Sequence, residues 1–229
     1  MKNRNKLVLF DWNGVVDPVR GGNYYTYWEV IADAMRVALY FPVDMSDDKI
    51  LKLLMAAGYG DLVLKCTTKE SFVKALSRIF NKLPETFSTR TNTDAAKIFV
   101  TYVLKRLGNI TYDKDILNFQ LEIQQCCTVG LFTDIDWLNA YRIRNITFPI
   151  NYDYTLLSHV LGVSKRNPKS FLHITDKLGY RPENIMLVDD SETNISLAND
   201  VGWHILHYNS KVYNIDFLHH KLNVFLHDN

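Results

Sequence analysis

The sequence predicts an α/β fold: a Rossmann-like parallel sheet flanked by helices, with an all-helical subdomain inserted after the first strand. Three observations predict it. The short apolar runs Leu7–Phe10, Cys127–Phe132 and Ile185–Val188 read as strands buried on both faces, as parallel sheets require. Beyond residue 113, strand runs alternate with helical segments, the pattern of βαβ units. From about residue 24 to 107 the periodicity is helical throughout. A lone N-terminal strand cannot bury both faces, so it must join the later sheet, and the helical block becomes an insertion. The expected division is a core of residues 1–18 and 113–229 and a helical cap domain of residues 19–112.

In the insert, Trp28, Ile31, Met35 and Leu39 recur at helical spacing. Ser46 is placed to cap a second helix, with Asp47 and Asp48 in its first turn and Gly58 past its end. Thr67-Thr68-Lys69-Glu70 matches a capping box opening a helix with Phe72, Leu76, Ile79 and Leu83 on one face. Another helix begins at Thr93 or Asp94, carries Ile98, Tyr102 and Lys105, and ends at Gly108. The C-terminal part reads as helix over Asp113–Gln125, strand over Cys127–Phe132 and helix over Asp136–Arg144. A strand over Tyr154–Val160 follows, then a helix through Phe171, Ile174 and Leu178 that closes at Gly179. Strand Ile185–Val188, helix Thr193–Val201 and strand Trp203–His207 complete the pattern.

Composition excludes several function classes. The chain has 229 residues, 47% hydrophobic and 22% charged, with a net charge of +1. That balance is expected of a globular protein and offers no electrostatic footprint for a nucleic acid polymer or a membrane surface. Leu7 to Phe10 is too short an apolar run for a signal peptide or a membrane span. Cys66 and the adjacent Cys126 and Cys127 fit neither a disulfide framework nor a zinc site, so a reducing cytoplasm is the expected setting. A monomer or homodimer is expected.

The chemistry is expected at the strand ends, because open parallel sheets bind ligands at the carboxyl edge of their strands. The first strand delivers Asp11, followed by Asn13 and Gly14. The next delivers Thr133 and Asp134, and the strand before residue 189 delivers Asp189 and Asp190. Lys165 lies on a loop entering a helix, in Gly162-Val163-Ser164-Lys165-Arg166-Asn167-Pro168. Carboxylates gathered this way suit Mg²⁺, a hard cation that often shares oxygen ligands with a phosphate. A lysine and a threonine can hold the remaining phosphate oxygens.

With those residues in view, the sequence resembles the haloacid-dehalogenase-like (HAD) hydrolases, and most closely their phosphatase branch. The family's first motif, D-x-D-G-[TV]-[LV], reads Asp11-Trp12-Asn13-Gly14-Val15-Val16. The second, an apolar strand ending in Ser or Thr, reads Leu131-Phe132-Thr133. The third, a Lys before Pro-x-x-Phe, is Lys165 with Pro168 and Phe171. The fourth, D-D-x-x-x-[ND], reads Asp189-Asp190-Ser191-Glu192-Thr193-Asn194. The resemblance covers residues 5 to 20 and roughly 120 to 208, and the helical insert occupies the place of the family's cap.

The resemblance implies that Asp11 attacks phosphorus and forms an aspartyl-phosphate. It implies that Mg²⁺ is held by Asp11, the backbone carbonyl of Asn13 and Asp189, with Asp190 nearby through water. Lys165 and Thr133 would orient the phosphoryl group, with Asp134 either a phosphate-side residue or a helix cap. The implied substrate is a small phosphorylated metabolite, with a nucleoside 5′-monophosphate as one candidate. The aromatic cluster Tyr24, Tyr25, Tyr27 and Trp28 either builds cap core or stacks on a nucleobase. Lys169 is the rival to Lys165, and Asn194 is either an ordinary helix residue or a partner of the site. Arg166 is read as solvated, and no histidine has metal-ligand spacing.

Asn13 departs from the pattern, since the phosphatases carry an Asp there as general acid and base. An amide cannot shuttle a proton. The alternatives are a leaving group that needs no protonation, a proton from the cap, or an introduced substitution. A phosphate-binding protein without turnover is a second reading. Cleavage of a carbon–phosphorus or carbon–halogen bond is a third.

Overall fold

The computed structural model describes residues 3–16, 27–84, 90–106, 113–145, 150–209 and 212–227. In chain order the elements begin with β1 (Asn3–Phe10), α1 (Tyr27–Leu39), α2 (Asp47–Ala56), α3 (Tyr59–Val63), α4 (Lys69–Phe80) and α5 (Asn92–Arg106). There follow α6 (Lys114–Ile123), β2 (Cys127–Thr133), α7 (Trp137–Asn145), β3 (Tyr154–Leu157), α8 (Ser158–Leu161) and α9 (Pro168–Leu178). β4 (Ile185–Asp189), α10 (Glu192–Asp200), β5 (His204–His207) and α11 (Ile215–His227) complete the chain. Among the described residues, no helix is long and apolar enough to cross a membrane.

The chain divides into two compact units. One comprises residues 1–21, 111–134 and 148–229, the other residues 22–110 and 135–147.

The first unit is built on a five-stranded sheet in the order β3-β2-β1-β4-β5, every neighbouring pair parallel. This is the doubly wound order, with the strand sequence reversing direction beside β1. Leu7, Val8, Leu9 and Phe10 are all fully buried, which explains the unbroken apolar run: a central parallel strand has no solvent face. One face of the sheet packs Leu7, Leu9, Phe132, Leu187 and Ile185 against Phe171, Ile174 and Trp203. The Phe171 and Trp203 rings meet edge to face at 5.2 Å, and the Trp203 indole donates to the Thr175 hydroxyl at 2.9 Å. The register sets the strand ends level, because Phe10 lies opposite both Leu131 and Val188. Asp11, Thr133 and Asp189 therefore emerge at the same carboxyl edge.

The second unit is helical. α1, α4 and α5 bury Ile31, Met35, Phe72, Leu76, Phe99 and Val103 in one core, and α7 adds Trp137 and Leu138 to it. A buried carboxylate knits this unit together: Asp136 accepts from the Tyr59 hydroxyl at 3.0 Å, from the Tyr27 hydroxyl, and from the Asn139 amide at 2.9 Å. It thereby caps α7 while holding α1 and α3. Burial pushes the Asp136 carboxyl above its ordinary pKa, against the opposing effect of these donors.

Several sequence expectations are corrected. Residues 135–147 pack with the helical unit, although the sequence reading assigns them to the core. α7 buries Trp137, Leu138, Ala140 and Ile143, and the sequence alone does not tell which of two cores these side chains enter. The capping box is formed by Thr68 and Ser71, one residue later than Thr67 and Glu70. The strand from Tyr154 stops at Leu157 and turns into α8. Trp28 is 41% exposed and does not share the buried face of α1, which Tyr27, Val30, Ile31, Ala34 and Met35 fill instead. Ser46 caps α2 as expected, its hydroxyl accepting from the Lys49 amide. Tyr24, Tyr25 and Gly108 lie outside the described residues.

Gly130 in β2 is closely packed. A Cβ there would stand 2.8 Å from Leu9 Cδ2 and 3.1 Å from the Tyr154 carbonyl oxygen. Gly130→Ala is expected to destabilise the protein by about 1–3 kcal/mol through overpacking, read as a lower denaturant midpoint with an unchanged slope.

Candidate active site

Asp11 is held by the sheet itself: its amide donates to the Val188 carbonyl at 2.9 Å, extending the β1–β4 ladder by one residue. The chain then turns sharply, with the Val16 amide bonding the Trp12 carbonyl at 3.0 Å. Gly14 takes a φ of +80°, a conformation that favours glycine. A Cβ at residue 14 would also meet Asp190 Oδ2 at 2.1 Å, so any larger residue would push the Asp190 carboxylate aside. The bare backbone of the Asp11 turn is thus what lets the Asp190 carboxylate approach.

Lys165 closes the site. It is 1% exposed, and its Nζ lies 2.8 Å from Asp11 Oδ1 and 2.5 Å from Asp189 Oδ2. The same ammonium stands 5.6 Å from the Phe132 ring centroid, an apolar wall that keeps water from competing for it. Asp189 is fully buried and saturated with donors. Besides Lys165 it accepts from the Ser191 amide at 2.9 Å and from Asn194 Nδ2 at 3.1 Å on both oxygens. Thr133, also fully buried, ends β2 with a hydroxyl oxygen that has no aligned hydrogen-bond partner.

Ligand oxygens of Asp11, Asp189 and Asp190 all lie within 4.8 Å of one another. Three carboxylates against one ammonium leave two negative charges in excess when all are ionised. Buried like charges at this separation oppose ionisation unless a cation joins them. The groups respond accordingly. Burial raises the Asp11 carboxyl strongly, Lys165 pulls it back, and the neighbouring Asp189 pushes it up again, to about 7. Burial and Asp189 also raise Asp190. Lys165 is held charged: Asp11 and Asp189 together outweigh its burial and lift its pKa. The donor set, all hard carboxylate oxygen with surplus negative charge, fits a divalent cation such as Mg²⁺.

The structure brings together Asp11, Thr133, Lys165, Asp189 and Asp190, with half-buried Asn13 on the turn beside them. Asp134 is the exception. Its carboxylate accepts from the Lys165 amide at 3.0 and 3.1 Å and from the Ser164 hydroxyl at 2.6 Å, so its oxygens face the Lys165 loop and not a phosphate. Nor does it cap α7, a task taken by Asp136. Lys169 and Arg166 are exposed, which leaves Lys165 as the ammonium of the site. Asn194 proves to be the amide that braces Asp189. Ser164 was not singled out by sequence, since nothing along the chain relates it to Asp134 thirty residues earlier.

The Asp11 shift carries a pH dependence for the metal-free protein. Its folded pKa exceeds the ordinary value of 3.8, so the folded state binds the proton more tightly than the unfolded one. This contribution to stability is present at about pH 4 and is lost as pH rises toward 7. Thermal melts in chelator should show wild-type stability falling across that interval, with a flatter profile for Asp11→Asn.

No family model matches the chain, and no curated protein matches it in sequence. Solved structures do match in fold. A HAD family enzyme from Bacteroides thetaiotaomicron, crystallised with magnesium and inorganic phosphate, superposes with a TM-score of 0.64 at 16% identity, covering 93% of this chain and 98% of that one. A predicted HAD-like family hydrolase from Porphyromonas gingivalis gives 0.66 at 18% identity over 95% and 97% of the two chains. A 2-haloacid dehalogenase from Pseudomonas syringae gives 0.62 at 16% identity over 91% and 88%. The chain therefore has the fold of the haloacid-dehalogenase-like enzymes along nearly its whole length.

Proposed function

We propose that this protein is a Mg²⁺-dependent phosphomonoester hydrolase acting through Asp11. The observation that carries the reading is the meeting of Asp11, Asp189, Asp190 and Lys165 at one sheet edge. The fold neighbour crystallised with magnesium and phosphate lends support. Asp11, Asp189 and Asp190 would hold the cation, with the backbone carbonyl of Asn13 beside them. The cation's contribution, when bound, is to offset the negative charge of both the carboxylates and an incoming phosphate.

In the first step an Asp11 carboxylate oxygen forms a bond to phosphorus as the bond from phosphorus to the ester oxygen breaks. The ester oxygen leaves as an alkoxide that takes its proton from solvent, and an aspartyl-phosphate remains. Water then attacks that phosphorus, releasing inorganic phosphate and the free carboxylate. Lys165 and the spare hydroxyl of Thr133 would meet the phosphoryl oxygens, since phosphoryl transfer rests on positioning and charge stabilisation. The helical unit would be the counterpart of the family's cap, and the substrate a small phosphorylated metabolite. Nucleoside 5′-monophosphates are the first compounds to assay, given the aromatic content of α1.

Asn13 favours a second reading, a site that binds phosphate but turns over slowly. The amide neither donates a proton to the departing alkoxide nor takes one from water. General acid–base catalysis is typically worth about 10²–10⁴-fold, so its loss weakens a phosphatase without abolishing it.

Phosphate release from a panel of phosphomonoesters is expected to require Mg²⁺ and to vanish in Asp11→Asn. Turnover persisting in that variant, or in excess chelator, would refute the mechanism. Asn13→Asp is expected to raise kcat by about 10²-fold or more. If only the variant turns over, while the natural chain binds phosphate, the second reading is the correct one.

A further inference from the structure

We infer that Asp134 is a positioning residue that sets the Lys165 ammonium in place by gripping the loop from which it springs, an inference that rests on the phosphoryl-transfer role given to Lys165 above. Lysine reaches its target on a flexible four-carbon stem, so the placement of the charge depends on the placement of its backbone. The backbone of Lys165 is held from Asp134. Its amide donates to both oxygens of Asp134, at 3.0 and 3.1 Å. The preceding Ser164 donates its hydroxyl to Asp134 Oδ2 at 2.6 Å and receives the Arg166 amide at 3.2 Å on the same oxygen. The Ser164 carbonyl in turn accepts from the Asn167 amide at 3.0 Å and from the Ser170 hydroxyl at 2.6 Å.

Residues 164–170 therefore form a closed turn, and Asp134 joins that turn to β2. The residue before Asp134 is Thr133, whose hydroxyl lies beside Asp11. One dipeptide thus supplies a phosphate-facing hydroxyl and fixes the loop that supplies the phosphate-facing ammonium. A carboxylate suits the task because both of its oxygens only accept, matching two converging donors. An asparagine turns one of those positions into a donor, facing the Lys165 amide or the Ser164 hydroxyl. Removing a residue that acts in this way lowers the rate only through the lysine.

The test is a double-mutant cycle on phosphate turnover with Asp134→Asn and Lys165→Met, both measured with saturating Mg²⁺. Asp134→Asn alone is expected to lower kcat about tenfold, with little change in KM, because misplaced catalytic groups cost rate. In the Lys165→Met background the same substitution is expected to cost nothing further. Equal losses in both backgrounds would overturn the inference, since Asp134 would then act independently of Lys165. Amide hydrogen exchange at Lys165 supplies a readout that needs no turnover. Asp134→Asn should lower its protection at least tenfold more than that of the Phe10 amide. If protection at Lys165 does not change, the clamp does not exist. A natural chain that turns over no phosphomonoester would count against the proposed function, while the exchange measurement still decides the clamp.

Discussion

The ammonium of Lys165, wedged between Asp11 and Asp189, is the interaction on which the rest of this site depends. Two buried carboxylates a few ångströms apart repel each other in a medium that screens poorly. The lysine relieves part of that repulsion but not all of it, because Asp190 adds a third carboxylate from the half-buried flank. The surplus negative charge favours a divalent cation at this edge. The amide of Asn194 and the backbone of Ser191 satisfy Asp189, and the Phe132 ring shields the lysine.

The parallel sheet explains why so much of this could be read from sequence. A strand buried on both faces is written as an uninterrupted apolar run, so the polar residue that ends it stands out. Asp11, Thr133 and Asp189 were legible for that reason, and the common register of β1, β2 and β4 places them at one edge. Lys165 was legible through its spacing to Pro168, which occupies the first turn of α9.

What was not legible depends on contacts between distant segments. Asp134 looks like any polar residue after a strand, and its partnership with Ser164 exists only once β2 and the 164–170 turn are neighbours. Trp28 was counted with the apolar stripe of α1, yet smaller residues fill that stripe and leave the indole partly in solvent. The run from Tyr154 is apolar enough for a longer strand, and period alone does not separate a strand from the short helix that begins at Ser158. Helix α11 had a readable signal in Leu218, Leu222 and Phe225, all buried at helical spacing, but no motif drew the eye to it.

The allegiance of α7 has a consequence for how this protein could be taken apart. Trp137 and Leu138 belong to the same apolar cluster as Phe72 and Phe99, so the helical unit owns two separate stretches of chain. Grafting residues 22–110 alone onto a related scaffold would strip that cluster of two large side chains and orphan the phenols of Tyr27 and Tyr59. A chimaera that keeps the donor's packing must carry residues 135–147 as well, which makes the interchangeable module of this protein discontinuous.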